Sequence, residues 1–177
     1  MAFDGSYPRQ VRERGVVHRI YVRRVRCGRC GTGEALLPDF TLRRRLDSAA
    51  AVGAAVLARH GRCTGSEVKA LYAGVPARTV RSWHQRFSER ADDLTVRFEA
   101  LRAQWGAGGI PRYEPTRVAV TITSIGSLWQ AARRRPNSDV PPPWRLANLV
   151  VGGQLLGTRV DLPWPVVSDR IGRAQGP

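Results

Sequence analysis

Two groups of side chains in this sequence have the types and spacing to do chemistry. The first is Cys27-Gly28-Arg29-Cys30-Gly31. Two cysteines three apart, with glycines in and after the loop, form a knuckle that turns both sulfurs toward one soft metal ion. Cys27 and Cys30 are thus candidate ligands for half of a tetrahedral zinc site. His60 and Cys63, again three apart, are the available second pair; otherwise they end a helix and open a loop. A redox role for the CxxC would need a thioredoxin-like βαβ pattern around it, and none is present. The second group is Ala77, Arg78, Arg81, Ser82 and Gln85. Arginine carries a planar donor fork that meets phosphate and guanine with two hydrogen bonds, and serine and glutamine can read base edges.

Hydrolysis or strand transfer of DNA would require about three carboxylates converging on a pair of metal ions. After residue 106 only Glu114, Asp139, Asp161 and Asp169 remain, all in expected loops or tails. A chain of 177 residues has no room for a separate nuclease domain beside its helical and β segments. The expectation is therefore a binding protein and not an enzyme.

The second group needs a helix that starts at a sharp turn, and Ser66 to Gln85 supplies one. Ala70 is small enough for a helix crossing, Gly74 suits a backbone with positive φ, and Val80 and Trp83 anchor the following helix. That is the pattern of a helix-turn-helix, with Pro76 next to the first turn of the second helix. Asp47 or Ser48 is placed to cap a preceding helix, roughly 49–60, closed by Gly61. Thr64-Gly65-Ser66-Glu67 has the form of a capping box for a helix over 65–73.

Beyond the turn, Val80, Trp83, Phe87, Ala91, Leu94, Phe98, Leu101 and Trp105 recur every three or four residues. That is a helical stripe, as one long helix or two joined near Asp92-Asp93. It packs on later helices by default, with a homodimer seam as the alternative. Residues 115–135 read as a further helix, although the β-branched start at Val118 also permits a strand. PNSDVPPP is a linker, and Pro143-Trp144 opens a last helix to about residue 151. Residues 157–177 read as an irregular tail, with Leu162 and Trp164 docking back.

Ahead of the knuckle, VVHRIYVRRV over residues 16–25 is rich in β-branched and aromatic residues and reads as a strand. Ile20 and Val22 share one face, Tyr21 and Val25 the other, and Arg19, Arg23, Arg24 and Arg26 are left for solvent or phosphate. Residues 1–15 read as polar, with Tyr7-Pro8 and Gly15 as breakers. EALLPDFTLRRRLDS, residues 34–48, reads as a connector that carries Arg43-Arg44-Arg45, a basic run placed to grip phosphate.

The bulk charge agrees with an anionic partner. The chain has 29 Lys+Arg against 14 Asp+Glu, a net charge of +15. The excess runs through the whole chain, and Lys69 is the only lysine. Such a balance favours nucleic acid. Double-stranded DNA is the expected partner, and a basic RNA-binding protein with a ribbon is the alternative. No uninterrupted apolar run of about 18 residues occurs, so no membrane span is expected. MAFDGSYPRQ has no basic-then-apolar leader, and three cysteines make no disulfide scaffold, so a cytoplasmic, nucleoid-associated location is expected.

YVRRVRCGRCGTGEALLPDF, the Arg-rich connector and VKALYAGVPARTVRSWHQRF together resemble the zinc-ribbon and helix-turn-helix region of bacterial insertion-sequence transposases. The resemblance spans residues 5–92 and is nearest to transposase-like proteins with that pairing; VPPPWRLANLV is similar to their C-terminal tails. It implies a ribbon feeding a helical domain that binds transposon-end or operator-like DNA, with a transposition protein as a further partner. The roles it allows run from transposition accessory or transcriptional regulator to inactive transposase remnant. No first cysteine pair of a ribbon stands ahead of Gly5-Ser6-Tyr7, so the resemblance implies a chain that starts inside its ribbon, and an incomplete zinc site is expected.

The expected fold is therefore mainly α. A small N-terminal β half zinc-ribbon and basic connector occupy 1–46, a three-helix helix-turn-helix domain 47–92, a C-terminal helical region 93–156 and a tail 157–177.

Overall fold

The structure is a computed structural model that describes residues 2–63, 65–107, 114–136 and 138–157. The expected capping residue Thr64 and the expected docking residues Leu162 and Trp164 lie outside the described residues. The chain divides into two units, Met1–Trp83 and His84–Pro177.

The first unit is built on a three-stranded antiparallel sheet, β1 (Ala2–Glu13), β2 (Val16–Arg26) and β3 (Gly33–Leu36), in the order β1-β2-β3. This corrects the expected fold class. Among the described residues 47% are helical and 20% are in strands, so the chain is mixed α/β and not mainly α with a small half-ribbon. The difference arises at residues 2–13, where Pro8 and Gly5 suggest breaks. Pro8 is tolerated because β1 is an edge strand, and Gly5, at φ +89°, sits in a bulge where the register shifts between Phe3 and Ser6. Arg14 and Gly15 both have positive φ (52° and 75°), the geometry of a two-residue type I′ turn that joins β1 directly to β2. Val11 and Val22 are buried on one face of the sheet.

One joint fixes the sheet to the connector and the first helix. The Arg12 N–H donates to the Leu46 carbonyl (2.7 Å), and the Ser48 N–H donates to the Arg12 carbonyl (3.2 Å). The Arg12 Nε–H donates to Asp47 Oδ1 at 2.7 Å, and the Asp47 side chain is only 7% exposed. The Ser48 hydroxyl donates to Glu13 (2.9 Å) while its oxygen accepts from the Ala51 N–H (3.1 Å). Ser48 is thus the N-cap of α1 (Ala49–Arg59), whose Ala51, Val52, Ala54, Ala55 and Val56 are buried.

Helix α2 (Ser66–Leu71) packs against α1. Its N-cap is Gly65, without a side-chain cap. The Arg14 N–H donates to the Leu71 carbonyl (3.2 Å), so the hairpin turn rests on the end of α2. Gly74 has φ +72° and nothing within 4 Å of the position a Cβ would take, so its cost of replacement is backbone strain without crowding. Helix α3 (Ala77–Gln104) begins two residues beyond Val75 and runs unbroken through Asp92-Asp93. The structure therefore interrupts the helix between Glu67 and Phe87, as a helix-turn-helix requires. It departs from the expected packing at two positions: Ala70 is half-buried, with no residue of α2 fully buried, and the expected anchor Val80 is only half-buried beside fully buried Trp83. A helix of six residues has too little surface to bury one whole side behind a close crossing.

In the second unit, α3 continues from His84 and is joined by α4 (Arg117–Arg133) and α5 (Pro143–Val150). Phe87, Ala91, Leu94, Phe98 and Leu101 are buried as the stripe requires. Thr116 caps α4 by accepting from the Ala119 N–H, and β-branched Val118, Ile122 and Ile125 pack inside a helix because they fall on its buried side. Phe87 meets Trp144 of α5 at 5.5 Å between ring centres. Buried Arg90 donates to the Gln154 carbonyl and to Asp93. Among the described residues, no helix is long and apolar enough to cross a membrane.

Two substitutions test these contacts by denaturant unfolding. Asp47→Ala leaves the Arg12 guanidinium without its buried partner and should cost about 3 kcal/mol. Gly74→Val should cost about 1–2 kcal/mol from backbone strain alone, and Gly74→Asn clearly less.

Candidate nucleic-acid interface

The first turns of α3 carry Ala77, Arg78, Arg81 and Ser82, all in the first unit. Ala77, Arg78 and Arg81 are exposed and Ser82 is half-buried. At 100° per residue, Arg78 and Arg81 lie on the side of the helix away from buried Trp83. Neither arginine has a carboxylate partner among the described residues. Gln85 lies beyond the boundary between units, and its side-chain amide donates to Glu89 at 2.9 Å. That bond occupies one of its donors.

The basic run sits in a turn closed by the Arg45 N–H donating to the Leu42 carbonyl (3.3 Å). Arg44 takes φ +57°, a conformation costly for a residue with a Cβ. The turn aims the carbonyls of Leu42 and Arg45 at Arg9, whose guanidinium donates to both. Arg43 and Arg44 are exposed, whereas Arg45 is half-buried in this joint. Arg24 is exposed on β2, on the face opposite to Arg19 and Arg23. Arg26 pairs with Asp4 at 3.4 Å.

The cysteine knuckle is the hairpin turn from β2 to β3. The Cys27 N–H donates to the Thr32 carbonyl, and the Gly31 N–H to the Cys27 carbonyl, both at 2.9 Å. Cys30 Sγ lies 3.3 Å from Thr32 Oγ1. The Thr32 hydroxyl, then its backbone and then the Cys27 thiol, favour the thiolate and lower Cys30 to about 7. His60, half-buried at the end of α1, is lowered by burial and by Arg59 and Arg62. A neutral imidazole and a ready thiolate suit a soft metal, but the arrangement does not: no three of His, Cys, Asp and Glu come together to hold a metal ion among the described residues. His60 and exposed Cys63 are therefore not brought to Cys27 and Cys30 in a group that could hold a metal ion among the described residues.

What the sequence left open is the face of the sheet that Tyr21 shares with its neighbours. Residues paired across antiparallel strands point to the same side. Tyr21 faces the same way as Arg19 and Arg23, with the Arg19 guanidinium 5.7 Å from the centre of its ring. The period-two alternation of β2 is the signal; without β1 and β3 it did not define a surface.

Comparison with protein-family models, with curated proteins and with solved structures gives no match for this chain.

The thiol chemistry has a direct test. Alkylation of Cys30 by iodoacetamide, followed by peptide mass spectrometry, should rise to half its limiting rate near pH 7. Thr32→Val removes the first cause of that shift and should move the midpoint upward.

Proposed function

We propose that this chain is a sequence-specific double-stranded DNA-binding protein of helix-turn-helix type, with no catalytic core of its own, acting beside a transposase or as a small regulator in the nucleoid. The single observation that carries this reading is the start of α3: Arg78 and Arg81 stand exposed, without carboxylate partners among the described residues, directly after the turn at Gly74. The N-terminal end of a helix is the part that meets base edges when a recognition helix enters the major groove. The positive end of the helix dipole also favours phosphate there. A net charge of +15 supplies the long-range attraction. Arg43 and Arg44, exposed in their turn, are assigned to phosphate contacts, as is Arg24. The resemblance of residues 5–92 to transposase-like proteins points to the same class of ligand.

Duplexes selected from a random pool, then measured over a salt series, test this reading. Arg78→Ala or Arg81→Ala should cost about 1–3 kcal/mol at the selected site and relax preference at one base pair. Arg43→Ala or Arg44→Ala should weaken selected and random duplexes alike and lower the salt slope by about one. If neither change in α3 alters the ratio of the two affinities, this helix does not read sequence.

A further inference from the structure

The sheet has an open face that the start of α3 does not use. Register places Phe3 and Pro8 of β1, Tyr21 and its neighbours at two-residue spacing on β2, and Glu34 and Leu36 of β3 on one side, with Arg12, opposite Val17, at the end of that side. The opposite side carries buried Val11 and Val22 and so faces the core. On the open side Tyr21 is 65% exposed, Phe3 67% and Leu36 51%, with Val17 also exposed. Arg19 and Arg23 flank Tyr21 at two-residue spacing and are exposed themselves.

Large apolar side chains are rarely left together in water without a partner. Two features say what kind of partner this face fits. It bears two aromatic rings whose positions, Tyr21 and the Phe3–Val25 pair, lie four residues apart on the strand, about 13 Å. It also bears guanidinium groups beside the rings, and its one unpaired carboxylate position among the described residues is Glu34, at the far end opposite Val25. Asp4 is held by Arg26, and Asp47 is buried against Arg12. An apolar protein partner would not need the arginines. A duplex keeps its bases stacked inside and cannot offer them to rings on an open sheet. Unpaired bases can stack on aromatic rings while arginines take the phosphates between them, and a sheet surface is a suitable platform.

We propose that the open face of this sheet binds single-stranded nucleic acid, with Tyr21 and Phe3 stacking on separate bases, Arg23 holding a phosphate between them and Arg19 a phosphate beyond Tyr21. This surface is distinct from the α3 arginines. A protein with both can hold a duplex and a nearby unpaired strand.

The test uses the full chain and fluorescence anisotropy with three probes of equal length: oligothymidylate, its ribose counterpart oligouridylate, and an abasic deoxyribose-phosphate oligomer. The abasic probe has the same charge and no rings. It should bind at least tenfold more weakly than oligothymidylate or oligouridylate, and the better of those two names the preferred sugar. Tyr21→Ala should weaken the base-bearing probes by about 5- to 150-fold and leave the abasic probe and a random duplex unchanged. Tyr21→Phe should keep the affinity. Equal binding of abasic and base-bearing probes by the unaltered protein would overturn the proposal without recourse to any variant. So would an equal loss on duplex and single strand for Tyr21→Ala. A Tyr21→Ala change that halves the mass seen by light scattering, with oligomer binding unaltered, would reassign the face to a second copy of this chain. Arg78→Ala, measured on the same probes, should leave single-strand binding intact, which separates this surface from the duplex reading.

Discussion

The first unit depends on one guanidinium. Arg12 reaches a carboxylate 35 residues later, at Asp47, in a setting where neither group is well solvated. Closing a loop of that length costs entropy, and burying two charges costs solvation. Both are offset only because the contact is not isolated: the backbone of Arg12 bonds to Leu46 and Ser48, and the Ser48 hydroxyl bonds to Glu13 and Ala51 at once. The joint therefore does three things with one set of atoms. It ends β1, sets the direction of the connector and places the first turn of α1. The Arg9 guanidinium on the carbonyls of Leu42 and Arg45 extends it and holds the basic turn in an otherwise costly conformation.

The arginines divide by what they touch. Arg9, Arg12 and Arg90 are structural, each satisfied by carbonyls or a carboxylate. Arg19, Arg23, Arg43, Arg44, Arg78 and Arg81 point outward. A guanidinium stays charged at any pH a cell reaches, and the sequence offers only one lysine. The charge of these surfaces is therefore insensitive to pH and to lysine acetylation. Ionic strength is the physical variable that modulates it.

The helices and β2 are legible in the sequence, and the strands that pair with β2 are not. The Ser48 cap, the long stripe of α3, the Pro143 start of α5 and the positive φ of Gly74 follow from local rules, and each stands where the sequence puts it. The stripe left two options at Asp92-Asp93; both carboxylates are exposed, so the helix has no reason to break there. β1 escaped because its signals are non-local. Its Pro8 and Gly5 are acceptable only at an edge, and Arg14-Gly15 lacks the Asn-Gly or Asp-Gly form that announces a tight hairpin. Without β1 the pattern reads as mainly α, and Tyr21, Arg19 and Arg23 read as interleaved residues on a lone strand. On α3, the outward exposure of Arg78 and Arg81 is legible from the periodicity of the helix. The standing of Arg45, tied down by Arg9, and the failure of His60 and Cys63 to join the knuckle are not, because both depend on where distant backbone runs.

The interruption that hid β1 has a consequence outside the folded monomer. A twelve-residue strand at the border of a sheet is a template on which another polypeptide can extend the sheet, the first step toward fibrous or amorphous deposits. In β1 the bulge around Gly5 twists the border, and Pro8 has no amide hydrogen to offer an incoming strand. At the other end of β1 the Arg12 backbone is already paired with Leu46 and Ser48, which shortens the border further. The same two residues that make this segment look unlike a strand thus protect the protein from templated self-assembly while leaving its side-chain face open.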